Sequence, residues 1–268
     1  MKYIYNNKLI DEEKFITPNN RSFLFGDGVF ETIMVFQHEI RFIEQHHNRI
    51  SAAMKAIGLN SSKLTSDLFK KSIEHILEAN SITSGRVKFM VWRKEAPNQV
   101  GYSINTNDFD FLISIKNNVL PEIMVSTNVG LSNKVRLSPS VSSSFKTMNS
   151  LPYVLAGIEK TERNLDDIVL TDFDGNISEC SSSNLFWIKD SKLFTPPLDT
   201  GCIHGIMRKA IMNQFNVTEN KISYDTLKHS ETVFSTNVAR LQIFKRIDSA
   251  TLETSGKLLA EIKQLWVL

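Results

Sequence analysis

The sequence predicts an α+β protein built as two domains, and three observations carry that reading. Two stretches with helical apolar spacing, 42–57 and 64–80, are followed by two strand-like runs, Arg86 to Arg93 and Phe109 to Ile115. Those four pieces read as one sheet covered by two helices. A break at Leu120-Pro121 then precedes a second series of short strands and helices. The expected boundary falls near Asn118, giving a first α+β domain over 1–118 and a larger one over 119–268.

Tyr3–Tyr5 and Leu9–Ile10 flank Asn6-Asn7-Lys8, a hairpin start. Gly26-Asp27-Gly28 makes a tight turn before a strand from Val29 to Phe36. In the helix that follows, Phe42, Ile43, Ile50, Ala53, Met54 and Ile57 share one stripe, and Gly58 stops it. His46 and Arg49 lie three residues apart on one face, which is either a solvated polar face or a site. The second helix turns Leu68, Phe69, Ile73, Ile76, Leu77 and Ala79 mostly inward. Arg86 to Arg93 alternates in the period of a half-buried strand.

Beyond the break, Ile123 to Val129 reads as a strand and Pro152 to Leu165 as a helix rich in Ala, Leu and Glu. Ile168 to Thr171 and Ile177 to Cys180 are strands around the Asp174-Gly175 turn. Leu185 to Ile188 and Leu193-Phe194 follow. A helix begins at about Gly205-Ile206-Met207-Arg208, and a helix start behind a glycine presents backbone N–H groups to an anion. Glu231 to Thr236 is a strand and Ser255 to Trp266 a terminal helix.

Composition narrows the partners. The formal charge is +2, from 31 basic and 29 acidic residues, so there is no electrostatic case for nucleic acid or a membrane surface. No apolar run is long enough to span a bilayer. Cys180 and Cys202 form neither a disulfide framework nor a metal-ligand spacing, and no metal site is expected. The start, Met1 to Asn7, lacks the apolar core of a signal peptide, and a cytoplasmic protein is expected.

Lys146 stands out because it is the only charged residue between Leu137 and Ile158. A lysine among Ser, Val, Phe, Met, Leu and Pro is either a snorkelling surface cation or a desolvated amine. A desolvated amine loses its proton more readily and becomes a nucleophile towards aldehydes.

The ordered motifs settle which. Phe25-Gly26-Asp27-Gly28-Val29-Phe30-Glu31, His46-x-x-Arg49, Lys146-x-x-Asn149-x-Leu151, Glu179 to Phe186, Thr195 to Leu198 and Gly205-Ile206-Met207-Arg208 together resemble the class IV aminotransferases. These are pyridoxal-phosphate enzymes of fold type IV, and the resemblance covers nearly the whole chain. It implies an α+β, D-amino-acid aminotransferase-like fold of two domains, with pyridoxal 5'-phosphate in the inter-domain cleft of a homodimer. It implies that Lys146 holds the cofactor aldehyde as a Schiff base and moves the substrate's Cα proton. Glu179 would face the pyridine nitrogen and keep it protonated. Arg49, Thr236 and the N–H groups of Ile206 and Met207 would bind the phosphate, and Phe30 would face the substrate.

Within that family the closer resemblance is to 4-amino-4-deoxychorismate lyases. Leu151 stands where branched-chain aminotransferases carry tyrosine. Pro97-Asn98-Gln99-Val100 stands where the D-amino-acid enzymes hold the substrate carboxylate with arginine and histidine. Val100 also replaces an arginine usual in the lyases. Lyase is therefore the expected activity, with a branched-chain or D-amino-acid aminotransferase as the alternative. A non-catalytic cofactor-binding relative is the remaining reading.

Overall fold

The hydrophobic periods of the first half fold as they read. The structure, a computed structural model, describes residues 1–11 and 17–266. The chain forms two units, and the first comprises Met1–Leu120 together with Phe145–Ser150. Its elements are β1 (Tyr3–Tyr5), β2 (Lys8–Ile10), α1 (Arg21–Phe25), β3 (Gly28–Phe36), β4 (Glu39–Ile40), α2 (Ile43–Ala56), α3 (Ser66–Asn80), β5 (Gly85–Arg93) and β6 (Phe109–Asn117). The strands form one antiparallel sheet in the order β2-β1-β6-β5-β3-β4. Ile33, Val35, Val87, Phe89, Val91 and Ile113 supply its core from the sheet. Ile50, Ala53 and Met54 of α2 and Phe69, Ile73 and Ile76 of α3 close over it. Each large side chain buried this way contributes roughly 1.5–3 kcal/mol, so packing rather than helix propensity holds α2 and α3 in place.

The Lys146 stretch was expected with the second domain, yet it packs in the first unit. Backbone pairing is the cause. Phe30 N donates to Lys146 O at 2.9 Å, and Met148 N donates to Gly28 O at 2.8 Å. Val29 and Thr147 form an antiparallel bridge, and Phe145 packs on the first core. The glycines of the Gly26-Asp27-Gly28 turn make room for this. Gly26 has φ +66°, and a Cβ there would lie 2.9 Å from Asn149 N. A Cβ on Gly28 would lie 2.7 Å from both Met148 Sδ and Val91 O.

The second unit, Pro121–Ser144 with Leu151–Leu268, is built on a mixed sheet. Its path is β17 (Ala250–Thr251), β16 (Arg246–Ile247), β8 (Val129–Leu137), β9 (Asp167–Asp172), β10 (Ile177–Cys180), β11 (Asn184–Lys189), β14 (Thr232–Asn237), β15 (Arg240–Phe244) and β7 (Glu122–Ser126). β12 (Lys192–Thr195) pairs with β11 and with β13 (Val217–Glu219). Alternate residues of β9 enter different cores, as a strand buried on both faces requires. Ile168 and Leu170 meet Ala156 of α4 (Leu151–Glu162), whereas Val169 meets Ile177, Leu185 and Trp187. The helices α5 (Ile206–Gln214), α6 (Tyr224–Leu227) and α7 (Lys257–Lys263) complete the unit.

The single strand expected over Ile123 to Val129 is divided. Asp166 Oδ2 accepts from Thr127 N and Asn128 N at 2.8 and 3.0 Å, which ends β7 and starts β8. β8 escapes a sequence reading because Ser132, Asn133 and Lys134 interrupt its apolar pattern. Buried Glu159 accounts for them: it accepts from Ser132 Oγ and from the Asn133 and Lys134 N–H groups, at a shift in the β8–β9 register.

Candidate active site

In the first unit, β3 and α2 bring together a charged cluster in a fully buried place. Glu31 of β3 is 1% exposed, and His46 and Arg49 of α2 are 0% and 9% exposed. The i, i+3 spacing on α2 aims both side chains at one carboxylate. Arg49 donates from Nε to Glu31 Oε1 at 2.7 Å and from Nη2 to Oε2 at 2.6 Å. His46 Nδ1–H donates to Oε2 at 2.7 Å. The solvated-face reading of His46 and Arg49 is thereby overturned. Glu31 lay inside a sequence motif but carried no role there; its position opposite α2 is what the strand register supplies.

Burial alone would push the Glu31 carboxyl up, but the Arg49 guanidinium and the hydrogen bonds from Arg49 and His46 outweigh it and hold the group at about 2. Burial lowers the His46 imidazole, and the charges of Arg49 and Lys146 lower it further against the pull of Glu31. Both folded values lie below the unfolded ones, so the unfolded chain binds more protons and stability is lost as the pH is lowered. Denaturant midpoints are expected to decline below about pH 6.5, where an unfolded histidine titrates. A second decline runs from Glu31's ordinary 4.5 towards about 2. His46→Gln should remove the first decline and leave the second; a profile unchanged by that substitution would show that His46 is not the neutral buried group described.

Lys146 is half-buried, and its charge acts on His46 of this cluster. Its Nζ stands 5.7 Å from the centroid of the Phe30 ring, and Lys88 Nζ stands 4.5 Å from the same ring. Phe30, expected to face the substrate, is thus a ring shared by two ammonium groups.

In the second unit Asn184 is the hub. In the strand registers it pairs with Glu179 across β10–β11 and with Thr236 across β11–β14. Its Nδ2 donates to Glu179 Oε2 at 3.1 Å and to Ile203 O at 2.7 Å. A Cβ on Gly205 would collide with Asn184 Oδ1, so glycine is what lets the start of α5 reach this place. α5 has no side-chain cap at Gly205, and Ile206 and Met207 form its buried first turn. The Oγ1 of Thr236, 1% exposed, has no hydrogen-bond partner among the described residues, nor does the buried Ser183 Oγ. Glu179 is 2% exposed and accepts from Tyr153 OH at 2.6 Å. The surface-carboxylate alternative for Glu179 therefore falls. Tyr153 and Asn184 had no assigned role in the sequence. Asn184 was within reach, as the residue directly opposite Glu179 in a hairpin; Tyr153 was not, because α4 and β10 meet only in the fold.

The second unit can therefore present unpaired hydroxyls and helix-start N–H groups to an anion, and a fixed carboxylate to a cationic N–H. The first carries an amine, Lys146, whose charge reaches the buried His46. Among the described residues no helix is long and apolar enough to cross a membrane.

The family described as "Amino-transferase class IV" matches residues 28–244. Similar proteins include the aminodeoxychorismate lyase of Bacillus subtilis (strain 168), 25% identical over 79% of this chain and 72% of its own length. They also include the D-alanine aminotransferase of Bacillus licheniformis, 24% identical over 88% of this chain and 84% of its own. The branched-chain amino acid aminotransferase of Escherichia coli has a similar structure, with TM-score 0.87, 21% identity and coverage of 98% of this chain and 92% of that one.

Proposed function

The chain belongs to the class IV aminotransferase family, and from that premise we propose that it is a 4-amino-4-deoxychorismate lyase, releasing pyruvate and 4-aminobenzoate. It is an enzyme, and its cofactor is pyridoxal 5'-phosphate.

The residues fit that group. The orphaned, buried Thr236 hydroxyl and the uncapped start of α5 suit a phosphate, and the caged Glu179 carboxylate suits a pyridinium N–H. In this reading Arg49 adds a guanidinium to the phosphate. Glu31 holds the guanidinium through Nε and Nη2 and so fixes its plane. Lys146 would hold the cofactor and would move the proton at the substrate's Cα. The bound cofactor supplies an electron sink for the charge left at that carbon. Phe30 offers the substrate an aromatic face.

The segment after β5, together with Leu151 and the run Asn184 to Trp187, supports the lyase over a D-amino-acid or branched-chain aminotransferase, and Val100, where the lyases usually carry arginine, is the observation against it. Pro97-Asn98-Gln99-Val100 offers no cation to an amino acid's carboxylate. Arg21, which meets the segment at Gly101 O, is committed through Nε to Asp27. An aminotransferase is the second reading, favoured by the likeness to D-alanine aminotransferase over 88% of the chain.

A paired assay separates them. Supplied with aminodeoxychorismate made in situ, the holoenzyme is expected to release 4-aminobenzoate. Supplied with L- and D-amino acids and a keto acid, it is expected to form little of the pyridoxamine cofactor. Turnover confined to the second arm would reject the lyase and name the aminotransferase by its preferred amino acid.

A further inference from the structure

The Glu179 carboxylate is held from both sides by uncharged donors, and one of them lies outside every sequence motif. Tyr153, in the first turn of α4, packs its ring against Val135, Leu137, Ala156, Ile168 and Leu170. That packing leaves the phenol oxygen 2.6 Å from Glu179 Oε1, while Asn184 Nδ2 lies 3.1 Å from Oε2. The shorter contact has the length of a strong O–H···O⁻ bond. Burial, then the charge and hydrogen bond of Glu179, push the phenol well above its usual range, so it remains a donor at working pH. The neighbouring thiols stay protonated as well. Burial raises Cys180, and it pushes Cys202 up to about 12.

We propose that Tyr153 is a positioning residue of the cofactor site, which orients the Glu179 carboxylate and sets how strongly it draws the proton on the cofactor's ring nitrogen. The proposal rests on the reading that Glu179 faces that nitrogen. A hydrogen bond to Oε1 stabilises the carboxylate charge and lowers its basicity. Without it the carboxylate gains proton affinity, the shared proton moves towards Glu179, and the ring becomes less cationic.

The test uses holoenzyme reconstituted with cofactor labelled with ¹⁵N in the ring. In Tyr153→Phe the ¹⁵N resonance is expected to move towards that of neutral pyridine. The pH midpoint of the visible band is expected to rise by about one unit, a tenfold change in proton affinity, because a less cationic ring repels the titrating proton less. Replacing Tyr153 by 3-fluorotyrosine keeps the hydroxyl in place but makes it a stronger donor, and should move both readouts the opposite way. That second variant carries the test if Tyr153→Phe does not fold. Glu179→Gln should displace the resonance further than either. If the Tyr153 variants lose only stability or occupancy, with resonance and midpoint as in the parent, Tyr153 is merely structural and the proposal is wrong. If Glu179→Gln itself leaves the resonance unmoved, the Glu179 reading fails, and the Tyr153 proposal falls with it for that separate reason.

Discussion

Lys146→Ala is expected to yield a protein that folds, binds pyridoxal 5'-phosphate, and retains no covalent label after borohydride reduction and denaturation, whereas the parent does. Its backbone contacts to Phe30 do not involve the side chain, so the first unit should be unaffected. Its turnover should fall by about 10²- to 10⁴-fold, the range set by removing a positioned proton-transfer group. The parent, reduced with borohydride and digested, should carry the label on the peptide containing Lys146. A Lys146→Ala protein that still keeps a covalent label after borohydride reduction and denaturation would place the attachment on another lysine. Lys88 would be the first to examine, because its Nζ shares the Phe30 ring.

The second large effect concerns Arg49, and it has two parts. Arg49→Ala strips the bidentate partner from a carboxylate that is 1% exposed. Removing one member of a buried pair costs about 3–5 kcal/mol, because the other charge stays desolvated. Urea unfolding of the cofactor-free protein reads that part. In equilibrium titration, cofactor affinity should fall by about ten- to a hundred-fold, the worth of a lost charged hydrogen bond. Arg49→Lys restores a charge but not the fork, so it should recover only part of each loss. Lost stability with unchanged cofactor affinity would make Arg49 the counter-ion of Glu31 and nothing more.

The backbone around the candidate site was legible because the motifs report local backbone needs. Gly26 and Gly28 were readable as a turn, and Gly205 as a helix start, since those conformations are written in single residues. The helices 42–57 and 64–80 were readable because their apolar stripes repeat over several turns. What lay hidden depends on contacts distant in sequence. β8 carries a polar middle whose partner, Glu159, arrives from a helix after the Lys146 stretch. The burial of Glu31 depends on α2 crossing β3. Tyr153 looks like one more aromatic in a helix until the fold sets it against Glu179. The assignment of 145–150 also went astray on sequence, because a strand bridge as short as Val29–Thr147 has no period to detect.

That bridge bears on how the chain can be divided. Residues 145–150 belong to the unit built from the first 120 residues, but they are encoded inside the second. A gene cut at 120/121 would not separate two self-sufficient modules. The amino-terminal piece would leave Phe30 N and Gly28 O without their Lys146 and Met148 partners. The carboxy-terminal piece would carry the amine without the β3 backbone that holds it. Shuffling such halves between relatives therefore transplants the nucleophile apart from its cradle, and the heritable unit of this architecture is the whole chain rather than either part.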